Sequence, residues 1–447
     1  MTQPLEEAAR RAIDYLEGLA ERPVAPSPAA LAGLEALAGA LPESGSDTAE
    51  IVDLLDRVAA PATVANAGPR YFGFVTGGTL PASLAANWLA GAWDQNAFSA
   101  VSSPLGARIE AIALGWVVEA LDLPRGSGGG FVTGATMANL AGLAAARHRV
   151  LGGLGWKVED DGLFGAPPIT VVVGAEVHVS LLKALGLLGL GRERVVRVPT
   201  DGQGRMRADA LPALTPPTIV CLQAGNVNTG AFDPADSVIP LAKRAGAWVH
   251  VDGAFGLWAR AAPALAPLAA GFEAADSWAL DGHKWLNVPY DCGIALVREA
   301  AALAGAMSVK ADYLARGDSP DPFDFTPECS RRMRGIEVWA ALKSLGRRGL
   351  AAMIEGNCRA AARFAEGLAR AGFAVLNEVA LNQVLVAFDD DAETERVIAA
   401  VQADGTLWAG GTTWHGRRAM RISVSSWATG ADDVETSLAA IRRIAGA

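Results

Sequence analysis

The sequence predicts an α/β protein: a large domain on a mainly parallel central sheet, followed by a smaller α+β domain at the C-terminal end. Three observations carry this. Between about residues 66 and 300, apolar strand-like runs alternate with helical stretches, as in strands joined by crossover helices. From about residue 335, a helical stretch opening "GIEVWAALKSLG" leads to strand-like "QVLVAF" and "AMRISVSS" and then a terminal helix. The chain has 447 residues, 51% hydrophobic and 19% charged, enough for a large core and more than one domain.

Residues 1–65 read as an N-terminal helical segment. Leu5, Ala8, Ala9, Ile13 and Leu16 recur with the helical period, and "SDTAEIVDLLDRVA" gives a second helix capped by Ser46 or Asp47. A proline- and alanine-rich connection, Pro23 to Pro28, separates the two. The large α/β domain is assigned to 66–300, a linker and candidate catalytic loop to 301–334, and the small domain to 335–447. The start lacks the basic flank and apolar centre of a signal peptide. "YFGFVTGGTLPASLAANWLAGAW" is long and uncharged enough to imitate a membrane span. Gly77, Gly78, Pro81, Ser83 and Asn87 point instead to a buried loop and helix.

A net charge of -10 and no basic stripe interleaved with aromatics argue against nucleic-acid binding. Cys221, Cys292, Cys329 and Cys358 form no CxxC pair, which argues against a metal site or a disulfide framework. The expectation is a soluble protein of a reducing, cytoplasmic compartment, with no membrane partner.

In open α/β sheets, ligands bind beyond the carboxyl ends of the strands. "GGFVT" is followed by Gly134-Ala135-Thr136, "ITVVVGAEV" by His178 and "TIVCLQAG" by Asn226. "GAWVHV" is followed by Asp252, and "SWAL" runs on to His283-Lys284. Any one of these groups suits a structural sheet. All five together are hard to read as packing.

Each group has a plain and a chemical reading. Gly134-Ala135-Thr136 at a strand-to-helix turn is an ordinary helix start or a phosphate seat, with the threonine hydroxyl as an added donor. The neighbouring "GSGGG" has no following GK[ST] and opens no helix, so nucleotide binding is discounted. Asp252 could pair with an arginine, or accept from a pyridinium N–H in a charge-assisted bond worth roughly 1.5–3 kcal/mol. Ala254 is small enough for a flat ring to lie against it, and His178 is either a core histidine or a stacking partner for that ring. Lys284 is one of only six lysines and sits among apolar and glycine-rich segments. It could snorkel or pair with Asp281 or Asp291; forming an imine would remove its charge and create an electrophile. Amine, ring-nitrogen carboxylate, stacking imidazole and phosphate seat together describe pyridoxal phosphate.

On these motifs the sequence resembles the pyridoxal-phosphate-dependent group II amino-acid decarboxylases, which include aromatic-amino-acid and glutamate decarboxylases. "HVDGAFG" is similar to the family's aspartate motif and "ADSWALDGHKW" to its lysine motif, a pair specific in combination. "VTGATMANL", "EVHVSLLKAL" and "GNVNTGAFDP" add weaker likeness, and the resemblance spans nearly the whole chain. It implies a fold-type I (aspartate aminotransferase-like) homodimer with its active site at the subunit interface. It assigns Lys284 to the Schiff base, Asp252 to the ring nitrogen, and His178 to stacking and substrate contact. Ala135, Thr136 and His283 would hold the phosphate, Phe74 and Thr76 would line the substrate pocket, and Arg421 is a candidate carboxylate contact, a surface ion pair being as good a reading.

The implied reaction is decarboxylation of an L-amino acid to an amine and CO2, with a slight lean to aromatic or apolar substrates. Three departures from the family pattern bear on it. Met137 replaces a glutamate, and Asn226-Val227-Asn228 replaces threonines. The stretch "LARGDSPDPFDFTPECSRR" has Phe323 and Phe325 where a loop tyrosine usually donates the Cα proton. In this family a lost tyrosine accompanies oxidative deamination to an aldehyde, so an oxygen-dependent aldehyde synthase is the main alternative. A shorter loop with another acid explains the change equally well. A carbon–carbon lyase and an inactive cofactor-binding protein are the remaining readings.

Overall fold

The computed structural model describes residues 2–309 and 320–446. The chain forms two compact units, one of Thr79–Arg359 with Asn377–Gln383, the other of Met1–Gly78, Ala360–Leu376 and Val384–Ala447. This division differs from the boundaries read in the sequence, because the N-terminal segment joins the C-terminal residues in one unit.

The larger unit is built on a seven-stranded sheet. Its strands are β1 (Gly128–Val132), β2 (Thr170–Gly174), β3 (Val196–Val198), β4 (Thr218–Gln223), β5 (Trp248–Asp252), β6 (Ser277–Asp281) and β7 (Gly293–Val297). They lie in the order β1-β7-β6-β5-β4-β2-β3. Only β7 runs against its neighbours; β2, β3, β4, β5 and β6 pair in parallel. Every residue of β4, β5, β6 and β7 is buried, which is why these strands read as apolar runs without alternation. Each buried Val, Ile or Leu contributes about 1.5–3 kcal/mol.

The helix Ala135–Gly152 follows β1 and is packed on the sheet through Ala138, Ala141, Ala144 and Ala145, all buried. The carboxyl ends of β1, β2, β4, β5 and β6 therefore share one edge, as expected for a parallel arrangement.

The smaller unit holds a sheet of β8 (Ala374–Val375), β9 (Gln383–Ala387), β10 (Gly410–Trp414) and β11 (Arg417–Ser423), in the order β10-β11-β9-β8. β10 and β11 are joined by His415-Gly416, both at positive φ (47° and 80°), the two-residue turn that suits strand twist. Val397, Val401, Val434, Leu438 and Ile441 of the helices Asp391–Asp404 and Ala431–Ala445 fill its core. Asp47 caps the helix Thr48–Leu54 by accepting from the Ala49 N–H, so the aspartate and not Ser46 takes that position.

One sequence expectation is corrected, and another, the buried loop and helix, holds except for the burial of the helix. The long helix Gly335–Arg370 is two helices, broken at Gly346 (φ 59°, ψ -178°). The span-like stretch is irregular up to Leu80 and helical only over Pro81–Trp93. Phe72 and Val75 are buried, but the helix buries only Ser83 and Ala86 and leaves Trp88, Leu89 and Trp93 exposed in the single chain. Among the described residues, no helix is long and apolar enough to cross a membrane.

Candidate active site

Lys284 lies three residues past β6, and its Nζ is 3.1 Å from Oδ2 of the buried Asp281. Asp281 Oδ1 accepts from the Ala135 N–H at 2.6 Å and stands 3.6 Å from His283 Nε2. One carboxylate thus ties the lysine, the histidine and the turn after β1 together. The sequence considered Asp281 only as an ion-pair partner. Asp291, the other candidate, is instead held by Arg332 and Arg334, whose hydrogen bonds and charges keep its carboxyl below the usual range despite burial.

Gly134 precedes the helix Ala135–Gly152, and a Cβ there would lie 3.2 Å from His283 Cε1 and 3.5 Å from Asp281 Oδ1. Gly293 presses closer still, since a Cβ on it would meet the Gly134 backbone at 2.5 Å. The turn is tight because both positions lack a side chain. Ala135's N–H donates to Asp281, which ties it into the turn. Thr136 occupies the second helical position, where an N–H has no intrahelical acceptor. His283 accepts the Cys292 N–H on Nδ1 at 3.1 Å and stacks on Tyr290 with ring centroids 4.4 Å apart. Burial pushes its pKa down.

Asp252 ends β5 at 5% exposure. Its Oδ1 accepts from the Ala254 N–H at 3.2 Å and its Oδ2 from Asn139 Nδ2 at 3.1 Å. No arginine pairs with it among the described residues, which sets aside the plain reading of this carboxylate. Asn226, past β4, is 2% exposed; its Oδ1 accepts from the Asn228 and Thr229 N–H groups, while its Nδ2 is buried without any acceptor. A buried donor left unmade is costly, so Nδ2 marks a place for an incoming oxygen. His178 caps the helix Val179–Leu187, its Nδ1 accepting from the Ser180 N–H at 3.3 Å.

Phe74, Thr76 and Arg421 belong to the smaller unit. Phe74 is 65% exposed, and its ring lies 5.3 Å from Trp408, which itself stacks on Tyr71 at 5.2 Å. Phe74 and Val75 sit at φ 54° and 57°, a conformation that costs about 1–3 kcal/mol per non-glycine residue and clusters at functional sites. Thr76 is buried, and Arg421 on β11 is partly buried, which lowers its pKa. Trp408 carried no motif in the sequence.

Of the candidate loop, 310–319 lies outside the described residues. Phe323 is 2% exposed, with its ring 5.8 Å from Phe98, and Phe325 packs on the core beneath the helix Ala135–Gly152. Phe323 is buried in the core, and Phe325 is only partly buried. Tyr313, one residue before the quoted stretch, supplies a tyrosine that reading passed over.

The family model for the pyridoxal-dependent decarboxylase conserved domain matches residues 33–389. The chain belongs to the pyridoxal-dependent decarboxylase family. This decarboxylase is 29% identical over 401 residues to tryptophan decarboxylase 1 of Oryza sativa subsp. japonica, covering 80% of this chain and 77% of that protein. It is 31% identical over 296 residues to an acidic amino acid decarboxylase of Mus musculus, covering 63% and 53%. The crystal structure of Oryza sativa TDC with PLP and tryptamine aligns with TM-score 0.92 at 24% identity, over 100% of this chain and 97% of that one. Rhodiola rosea 4-hydroxyphenylacetaldehyde synthase aligns with TM-score 0.85 at 21% identity, over 99% and 98%. At these identities the two structures show the fold, fold-type I, alone.

The decarboxylase is a pyridoxal-phosphate-dependent carboxy-lyase acting on an amino acid. Its residues fit that cofactor on their own chemistry. Asn226 Nδ2 is an orphaned donor, Asp252 a buried acceptor without a cation, and Gly134 a position where a side chain would crowd His283. Among the described residues, no cluster of metal-binding side chains is present.

Proposed function

We propose that the enzyme decarboxylates an L-amino acid to the matching amine and CO2, preferring an aromatic or other apolar side chain. The observation that carries this is the gathering of Lys284, Asp252 and the unused Asn226 amide at one sheet edge. The bound cofactor supplies an electron sink for the pair released when CO2 departs.

The chain's own groups do the rest. Lys284, held by Asp281, would be the amine that binds the cofactor, and Asp281 would keep the Ala135 N–H, so the turn stays fixed. Asp252 would hold the proton on the ring nitrogen. Asn226, through its unused Nδ2–H, would be the donor for a ring oxygen. The Gly134–Thr136 turn and His283 seat the phosphate at the N-terminus of an 18-residue helix. His178 would cover one ring face and meet the substrate carboxylate, and Ala254 is small enough for the ring to lie against it. Phe74, Thr76 and Arg421 are the proposed substrate contacts.

A homodimer with its active site at the interface is part of the proposal. The single chain leaves the helix Thr2–Glu17 with no buried residue and Leu5 at 66% exposure, and it exposes Trp88, Leu89 and Trp93. Such uncovered apolar faces call for a partner surface. A cytoplasmic setting rests on four unpaired cysteines.

Lys284→Ala tests the assignment. With a panel of L-amino acids, CO2 release should fall to background in the variant, and retained full activity would remove Lys284 from its role. The second reading is an oxygen-consuming aldehyde synthase, an activity printed in the name of a neighbour with this fold, Rhodiola rosea 4-hydroxyphenylacetaldehyde synthase.

A further inference from the structure

Behind Asp252, on the side away from Ala254, runs a continuous line of buried polar groups. Trp248 Nε1 donates to Ser277 Oγ at 2.9 Å, and Ser277 Oγ lies 2.8 Å from His250 Nδ1. His250 Nε2 lies 2.8 Å from Asn139 Oδ1, and Asn139 Nδ2 donates to Asp252 Oδ2 at 3.1 Å. Ser277, His250 and Asn139 are each fully buried. We propose that this line is a one-way hydrogen-bond relay that positions the Asp252 carboxylate for the ring nitrogen, with His250 locked as the neutral Nε2–H tautomer. It rests on the reading of Asp252 as the ring-nitrogen partner.

The two ends fix the direction. An indole N–H can only donate, and an ionised carboxylate can only accept. Ser277 Oγ accepts from the indole, so its single hydrogen turns to His250 Nδ1. Nδ1 is then an acceptor, and the ring proton sits on Nε2, aimed at Asn139 Oδ1. That contact orients the amide, and its NH2 faces Asp252. With Nδ1 protonated instead, Ser277 would accept twice and its hydrogen would have no partner in a dry interior. Burial, which pushes the His250 pKa down to about 4, favours the same neutral form.

The fold makes room for the relay. His250 and Asp252 are two apart on β5 and share one sheet face, which the helix Ala135–Gly152 covers. His250 stands opposite Ser277 in the β5–β6 register. Gly142 on that helix faces the imidazole, where a Cβ would lie 2.7 Å from His250 Cε1 and 2.9 Å from Nδ1. A glycine inside a helix costs about 0.8–1.0 kcal/mol relative to alanine. Here the missing side chain is the space the ring occupies. A neutral relay gives Asp252 a donor without a competing cation, so the carboxylate keeps its charge for the pyridinium. His250 and Asn139 are therefore positioning residues acting through Asp252.

The test compares Asn139→Leu, Gly142→Ala and Asp252→Asn with the wild type. Two readouts apply: the pyridoxal phosphate dissociation constant of the apoprotein, and the pH-dependent absorption of the bound cofactor, which reports ring protonation. Asn139→Leu should weaken cofactor binding roughly tenfold, the loss of one hydrogen bond to a charged group, and shift the absorption in the direction of Asp252→Asn. Gly142→Ala should do the same to a lesser degree. Nitrogen NMR of the histidine-labelled wild type should show His250 neutral with its proton on Nε2. Folded Asn139→Leu and Gly142→Ala with wild-type affinity and absorption, beside a defective Asp252→Asn, would overturn the relay and leave Asp252 in place. An Asp252→Asn protein unchanged in both would overturn the Asp252 reading itself. If the variants do not fold, the NMR decides: an imidazolium or an Nδ1–H ring at neutral pH refutes the relay.

Discussion

At the scale of single residues, the site is organised by which polar atoms are satisfied before the cofactor arrives. Lys284 already has Asp281, and Asp252 has one donor per oxygen, but Asn226 Nδ2 has nothing. Asn226→Asp keeps the oxygen that accepts from Asn228 and Thr229 and replaces the donor with an acceptor. Cofactor affinity should fall roughly 10- to 100-fold, read by titration of the apoprotein. His250 makes a second prediction, about pH. Its folded pKa of about 4 lies below the usual 6.5, so the folded state binds fewer protons than the unfolded one between these values. Stability from this group is therefore present above about pH 6.5 and lost as pH falls toward 4, by about 2 kcal/mol between pH 7 and pH 5. Denaturant unfolding at the two pH values should show this component in the wild type and not in His250→Gln. Lys284, Asp252 and Asn226 stood out in the sequence because each lies at the end of an apolar strand or within three residues of it. Asp281 was read as a partner for Lys284, but its bond to the Ala135 N–H, 146 residues away, was not, and neither was the pairing of Asn139 with Asp252, 113 residues away. Asn139 left one signal, an amide inside an alanine- and leucine-rich helix.

At the scale of elements, two glycines set the local architecture. A Cβ on Gly73 would lie 2.3 Å from Trp408 Cζ3 and 2.8 Å from Tyr71 Cζ, so the chain passes the aromatic group there only without a side chain. Gly73→Ala should destabilise by about 1–3 kcal/mol, seen as a lowered unfolding midpoint, and should displace the Phe74 segment. Gly346 breaks the helix Gly335–Arg370 with φ and ψ essentially confined to glycine. Gly346→Ala should lower the unfolding midpoint even though nothing lies within 4 Å of the new methyl. The strands of the central sheet were legible because burial on both faces leaves continuous apolar runs. The break at Gly346 was not, because the apolar period continues across it. The exposure of the helix Pro81–Trp93 was equally hidden, since composition does not reveal which chain covers an apolar face.

At the scale of the molecule, the family is shown by a match over residues 33–389, and with it a pyridoxal-dependent carboxy-lyase. The parallel order β6-β5-β4-β2 brings to one edge groups that span more than a hundred positions of sequence, which is why strand ends were the place to look for a candidate site. Sedimentation should give the mass of two chains, and a stable monomer would contradict the interface part of the proposal. The central claim is tested most directly by a product balance. Cofactor-loaded protein is incubated with a panel of L-amino acids while CO2, amine, aldehyde and oxygen are followed together. The account predicts CO2 matched by amine without oxygen uptake, strongest for an aromatic or apolar substrate. CO2 matched by aldehyde with oxygen consumed, or no CO2 from any amino acid, would contradict it.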